Sequence, residues 1–461
     1  MVKCTKLTVP ATSMEYSGGS IVIRTEGGMT PDYVLKDERV GIYRTEGFRY
    51  RDLKRRYPEA EDRVFPAMNN LKLRSDLNLR EYQRTSLKRW KDNGNNGIVV
   101  LPTAAGKTHI GLAAIEFLKT STIVIAPTID LIEQWKKRIS ETFGIQVGQI
   151  GGGEDLLLPI TVCTYDSAYL RAESLGNRFR FLLVDEVHHL SSGKFIDIAR
   201  MYASPYRLGL TATLERSDGL HELLSQYMGE KVFELGYEEL SDFLSAYQIV
   251  RVPVNLSPEE GREYDRNRSV FLNYIRKHRM SMRGTWNFEQ FILSSWNPEG
   301  REALMAWRKA RDIAFSTRNK LEATRRILER HPDDKIIIFS EDTETAYMLS
   351  KAFLIPAFTY MTPPKERREY LSWFKENRVT AIATSKVLDE GVDVPDASVA
   401  VILSGSGSTR QFRQRLGRIL RPSPGKQAIL YEVVAKGTSE FGTSFRRRKG
   451  VPVGSGADPQ S

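Results

Sequence analysis

"GIVVLPTAAGKTHIGLAAIEFL", residues 97–118, places a β-branched run, a tight turn and an apolar helix-patterned segment in succession. The turn ends in Gly106-Lys107-Thr108, the last three positions of the phosphate-loop pattern G-x-x-x-x-G-K-[ST], but Leu101 stands where that pattern opens on glycine. A strand that runs through a turn into a helix N-terminus aims backbone N–H groups and the helix dipole at an anion. In that reading Thr103, Ala104, Ala105 and Gly106 wrap the phosphates of a nucleotide. Lys107 reaches the β and γ phosphates, and Thr108 ligates Mg²⁺. The alternative is an ordinary Gly-Lys-Thr at a helix start, and the rest of the chain has to decide.

A second stretch, "LLVDEVHH" at 182–189, sets two carboxylates directly after a buried apolar run. That is the strand edge at which open α/β sheets bind ligands. There Asp185 holds Mg²⁺ through water, and Glu186 orients and deprotonates an attacking water. A surface Asp-Glu pair is the bland alternative.

Runs without polar alternation recur at 97–101, 122–126, 160–164, 181–185 and 207–211, with helical patterns between them. They read as strands covered on both faces of a parallel sheet. The pattern pauses near residue 240 and resumes at 335–339, 380–384, 399–403 and 427–433. The organisation expected is a small β-containing module at 1–70, an α/β domain at 71–240 and a helical segment at 241–315. A second α/β domain follows at 316–440, and a basic disordered tail at 441–461.

With 68 Lys+Arg against 57 Asp+Glu, the 461-residue chain carries a net charge of +11, which suits a polyanionic partner. Cys4 and Cys163 are its two cysteines, too few for a disulfide framework or a thiolate metal site. With no secretory signal and no long apolar run, the expectation is a cytoplasmic protein, nucleoid-associated in a prokaryote, with no membrane contact.

"LREYQ" (79–83), "APTIDLIEQW" (126–135), "CTYDSAY" (163–169), "DEVHH", "TAT" (211–213), "TSKVLDEGVDVP" (384–395) and "QRLGRILR" (414–421) occur in this order. Together they resemble the ordered motifs of superfamily-2 helicases, and more narrowly the XPB helicase family in its compact archaeal form. The narrower cues are "RLGLTATLERSDG" and "SGSGSTRQFRQRLGRILRP". The resemblance implies an α/β fold with two RecA-like domains, a small N-terminal damage-recognition-like domain and a thumb-like helical insertion. It implies an ATP- and Mg²⁺-dependent 3′→5′ DNA helicase or duplex translocase acting in nucleotide excision repair. The partner is then duplex, forked or single-stranded DNA, with a nuclease as a further partner of a monomer or heterodimer. An RNA helicase, a restriction-system translocase and a nonenzymatic DNA-binding scaffold remain the alternatives.

By the same resemblance Gln83 reads the adenine with Arg80 nearby, and Gly391 and Asp393 contact the ribose and phosphates. Gln414 positions water or phosphate, and Arg418 and Arg421 stabilise the charge of phosphoryl transfer from the second domain. Thr128 and Thr164 contact the DNA backbone. In the insertion, Arg276, Lys277 and Arg279 pair with phosphates while Phe271 stacks on a base. Inward packing of Phe271 and Tyr274 is the alternative. Two positions depart from the family pattern. Ala104 stands at a customary glycine, and Arg216-Ser217-Asp218 replaces an Arg-Glu-Asp element credited with strand separation. The second departure bears on unwinding through Arg216 and Asp218, more than on ATP hydrolysis.

Overall fold

A computed structural model describes residues 12–25, 30–67, 70–103, 105–214, 222–236, 239–240, 246–281, 285–385, 397–405, 408–419 and 427–448. The chain forms two compact units: Met1–Leu101 with Gly106–Leu235, and chiefly Gly236–Ser461.

The first unit opens with β1 (Ser13–Ser17), β2 (Ser20–Arg24), β3 (Leu35–Asp37), β4 (Ile42–Glu46) and β5 (Glu61–Arg63), in the order β3-β4-β2-β1-β5. The β1–β2 hairpin turns on Gly18 and Gly19, at φ 54° and 82°, the left-handed region where glycine carries no steric cost. Met14, Ile21, Ile23 and Leu53 close a small core beneath it. The Tyr16 hydroxyl lies 3.0 Å from the Ala172 carbonyl and 3.1 Å from that of Met201, seating this sheet on the next layer.

That layer is built on β6 (Asn96–Val100), β7 (Thr122–Ala126), β8 (Gly148–Gly151), β9 (Glu154–Leu156), β10 (Ile160–Thr164), β11 (Phe181–Asp185), β12 (Tyr206–Thr211) and β13 (Lys231–Glu234). Their order is β13-β6-β12-β11-β7-β10-β8-β9, parallel throughout except for β8 against β9. Every residue of β7 and β11 is buried, as the unbroken apolar runs require. Each large aliphatic side chain so placed contributes about 1.5–3 kcal/mol.

The second unit carries β14 (Ala246–Val254), β15 (Ile336–Phe339), β16 (Ala357–Phe358), β17 (Ala381–Thr384), β18 (Val399–Ile402) and β19 (Gln427–Ala435). All are parallel, in the order β14-β19-β18-β15-β17-β16. Two expectations are corrected here. The segment 241–315 is not wholly helical, because "AYQIVRVPV" is the edge strand β14, paired along all nine residues with β19. Arg251 and Pro253 break its apolar run, so the strand leaves no clean local pattern. The tail is not disordered from 441. Ser439–Arg447 is a helix held by two buried ion pairs, Lys320 with Glu440 at 2.7 Å and Arg447 with Glu432 at 2.6 Å.

Between β14 and β15 stand the helices Pro258–Lys277, Thr285–Leu293, Pro298–Ser316 and Arg318–Arg330. Ser257 caps the first through the Glu260 N–H while the Glu260 carboxylate returns to the Ser257 N–H, a reciprocal capping box followed by Pro258 at the first helical position.

Candidate active site

The C-terminal ends of five adjacent strands, β6, β12, β11, β7 and β10, carry nearly all the candidate residues of the first unit. After β6 the chain turns through Gly106, at φ 74° and ψ 39°, into the helix Lys107–Leu118. A side chain at Gly106 would meet Gln83 Nε2 at 2.6 Å, so the turn needs glycine twice over. Gln83 is buried, accepts from the Arg80 N–H at 2.9 Å and donates to the Gly106 carbonyl at 3.4 Å. The candidate base-reading element is thus bonded to the loop itself. Lys107 donates to the Leu101 carbonyl at 3.2 Å, the bond a phosphate would replace. Thr108 stands in the first turn of the same helix. The Thr103 hydroxyl is buried with no hydrogen-bond partner among the described residues.

At the end of β11, Asp185 is 7% exposed. Its Oδ2 accepts from Trp135 Nε1 at 2.9 Å and its Oδ1 from the Glu186 N–H at 3.0 Å. Burial, and after it the Glu186 charge, pushes the Asp185 carboxyl up to about 6, against the lowering pull of Lys107 and the two N–H bonds. Glu186 sits at φ 49° and ψ 52°, a conformation that costs a non-glycine residue energy and is typical of functional turns. The Tyr165 hydroxyl lies 3.0 Å from the carbonyls of both Asp185 and Glu186 and holds that turn. On the other side, Glu186 Oε2 lies 3.4 Å from His188 Nδ1 and 3.4 Å from Thr211 Oγ1. His188 and Thr211 are themselves 2.9 Å apart.

Trp135, Tyr165 and Thr211 were not singled out from sequence, although each lies inside a quoted motif. Gly111 was the available signal for Trp135. A side chain there would meet the indole at 2.6 Å, so the glycine makes room for the ring that reaches Asp185.

A buried carboxylate with a raised pKa, an unpartnered threonine hydroxyl in the loop and a lysine bonded to a loop carbonyl form a donor set suited to a triphosphate with Mg²⁺. Thr108 and Asp185 are the residues that would hold the ion.

In the second unit, the helix Thr409–Ile419 buries Gln414, Arg415 and Arg418. Arg415 donates to the Ser404 carbonyl at 3.2 Å, leaving Gln414 and Arg418 as the pair one turn apart. Ala104, Arg216, Asp218, Gly391, Asp393 and Arg421 lie outside the described residues.

Among the nucleic-acid candidates, Thr128 and Thr164 cap the helices that follow β7 and β10, accepting from Leu131 and Ser167 N–H groups at 3.3 Å each. The stacking role of Phe271 is corrected. Its ring is buried against Phe291 in a core shared with Tyr274, Ala303 and Leu304, because the helix Pro258–Lys277 turns its aromatic stripe toward its neighbours. Arg276 and Lys277 at the end of this helix, and Arg279 just beyond it, are exposed, with Lys277 paired to Glu299 at 2.7 Å. Within the basic tail, Arg447 is buried against Glu432.

Among the described residues, no three His, Cys, Asp or Glu side chains cluster as a metal site, and no helix is long and apolar enough to cross a membrane.

Residues 76–216 match the family described as type III restriction enzyme, res subunit, and residues 303–453 match the ERCC3/RAD25/XPB C-terminal helicase. The chain is 43% identical over 418 residues to the DNA 3'-5' translocase XPB2 of Sulfurisphaera tokodaii, covering 89% of this chain and 95% of that protein. It is 27% identical to the DNA 3'-5' helicase XPB of Mycobacterium tuberculosis, over 80% of this chain and 63% of the relative. The Schizosaccharomyces pombe general transcription and DNA repair factor IIH helicase/translocase subunit XPB is 28% identical, and the chain spans 48% of its length. The Pyrococcus furiosus Hef helicase domain shares the fold at a TM-score of 0.54 and 18% identity, over 80% of this chain and 98% of that one. On the strength of near-complete alignment with the Sulfurisphaera protein, the chain belongs to the XPB family of helicases and translocases.

Proposed function

We propose that the chain is an ATP-dependent 3′→5′ DNA translocase and helicase that opens duplex DNA during nucleotide excision repair. The observation that carries this reading is the meeting of Lys107, Asp185 and Glu186 at one sheet edge, in a chain that aligns nearly end to end with a named DNA 3'-5' translocase.

ATP is the substrate. Its phosphates lie along the turn before Lys107, and the Lys107 ammonium leaves the Leu101 carbonyl for them. Mg²⁺, when bound, supplies charge neutralisation at the phosphate oxygens. Glu186 takes the proton of the attacking water, worth about 10²–10⁴ in rate for such a group. His188 and Thr211 fix its carboxylate, and Tyr165 fixes its backbone. Arg418 and Arg421 supply positive charge to the transferred phosphoryl group, Gln414 positions water or phosphate, and Gly391 and Asp393 contact the ribose and phosphates. Gln83 and Arg80 read the base.

A change in nucleotide state then steps the protein along DNA. Thr128 and Thr164 offer capped helix N-termini to backbone phosphates, and Arg276, Lys277 and Arg279 offer cations. Arg216 and Asp218 act in strand separation.

The test is the ATPase rate with duplex DNA, single-stranded DNA and RNA at matched salt, alongside an unwinding assay. The proposal expects stimulation by DNA. Stimulation by RNA alone would overturn it.

A further inference from the structure

We infer that the outer edge of β14 accepts an extended, acidic segment of a partner protein as a seventh strand. β14 ends the sheet of the second unit, and its pairing partner among the described strands is β19 alone. The Val254 carbonyl accepts from the Lys436 N–H at 2.8 Å, so the polar groups of Val254 face β19. Strand alternation turns those of Val252 and Val250 the same way and those of Ile249, Arg251 and Pro253 outward. The outward row therefore offers N–H groups at Ile249 and Arg251 and carbonyls at all three. Pro253 has no N–H to give, and it closes the template at one end.

Both faces beside this edge are prepared for side chains. On one face a cavity of about 410 Å³ opens between Val250, Val252 and Val254 and the helix Arg318–Arg330, with Ala323, Ile327, Arg330 and the Arg326–Glu322 pair, 3.4 Å apart, on its wall. On the other, the Arg251 guanidinium lies 5.0 Å from the Phe441 ring and 5.4 Å from the Phe445 ring. Arg251 has no carboxylate within ion-pair distance among the described residues, and its buried Nε has no hydrogen-bond partner there. Phe445 is 69% exposed.

A cation lodged over two aromatic rings beside a row of open backbone groups is complementary to a carboxylate on an incoming strand. Valine-like residues on its alternate positions would fill the cavity. A nucleic-acid backbone could use the cations, but not the outward carbonyls. A second copy pairing edge to edge would set arginine near arginine. An acidic, apolar-alternating peptide satisfies all three features.

The test uses the full-length protein and a fluorescein-labelled peptide alternating valine and glutamate, with its valine–lysine counterpart. The acidic peptide should bind by anisotropy and slow amide exchange at Ile249 and Arg251. The lysine peptide should bind at least about tenfold more weakly, a difference of about 1.4 kcal/mol. Arg251→Glu should abolish binding with the DNA-stimulated ATPase unchanged. Arg251→Pro, which removes both the guanidinium and one outward N–H without touching the ladder to β19, should weaken it at least as much as the loss of the guanidinium alone in Arg251→Ala. Equal affinity for both peptides overturns the inference. So does binding unaffected by both variants, displacement of the peptide by an oligonucleotide, or concentration-dependent dimerisation that Arg251→Glu abolishes. These readouts do not depend on ATP turnover, so they stand apart from the proposed motor activity.

Discussion

The indole N–H of Trp135 donates to Oδ2 of Asp185 at 2.9 Å, joining a helix after β7 to the acidic end of β11. This bond favours the charged carboxylate in a site where burial disfavours it. Trp135→Phe keeps most of the ring's volume and removes the donor. The Asp185 carboxyl should then rise further, moving the acid limb of the ATPase pH profile to higher pH. A hydrogen bond to a charged group is worth about 1.5–3 kcal/mol, or about one to two pKa units, so kcat/KM at neutral pH should fall by roughly two- to fifteenfold. An unmoved acid limb would show that the bond only supports packing.

Glu186→Gln preserves the shape of the turn and removes the base. Nucleotide affinity by titration should stay near wild type, while turnover drops about 10²–10⁴-fold. Lys107→Ala should show the reverse emphasis, with affinity itself reduced.

Asp185 also links activity and stability to pH with opposite signs. Its folded pKa of about 6 stands above the ordinary value of 3.8, so between these values the folded state holds more protons than the unfolded one. The contribution of this group to stability is fully present below 3.8 and is lost as pH rises through about 6. Activity needs the charged form and should fall as pH drops through the same window. Asp185→Asn should therefore raise Tm at pH 7 and abolish ATPase. A lower Tm in that variant would contradict the burial argument.

The exposed and buried faces of the helix Pro258–Lys277 should separate cleanly. Phe271→Ala removes a ring from a core and should cost about 3–5 kcal/mol by denaturant unfolding, if its neighbours do not collapse. Replacing Arg276, Lys277 and Arg279 together with alanine should leave stability nearly unchanged. It should lower the slope of log affinity for duplex DNA against log salt by about 3, near one for each phosphate that no longer meets a cation.

Lys320 and Glu440 are both buried, with the Lys320 ammonium also donating to the Leu403 carbonyl. Removing one partner strands the other charge, so Glu440→Ala should cost about 3–5 kcal/mol. The double replacement Lys320→Met with Glu440→Leu should recover most of that loss in a chemical-denaturation cycle.

The strand runs and the two carboxylates were legible because buried parallel strands and ligand-binding sheet edges leave local marks. Gly106, Lys107, Asp185 and Glu186 needed no knowledge of distant residues. Trp135, Tyr165 and Thr211 did, since each acts through a contact made by strand order rather than by spacing. β14 escaped because an edge strand carrying Arg251 and Pro253 has no clean period, and its partner β19 lies some 180 residues away. The helix Ser439–Arg447 escaped for a related reason. Its charged residues read as solvated until Lys320 and Glu432 supply their counter-charges. Phe271 was ambiguous because an aromatic at helical spacing serves a core or a stack equally well.

The pairing of β14 with β19 has a consequence for synthesis. The strand that begins the sheet of the second unit emerges from the ribosome long before the strand it pairs with, and the glutamate that neutralises Lys320 comes later still. Throughout that interval a nascent chain presents an unzipped edge and an uncompensated ammonium. A ribosome that stalls before residue 440 should thus release a product recognised by proteases, whereas both sheets of the first unit, complete by residue 234, are already closed.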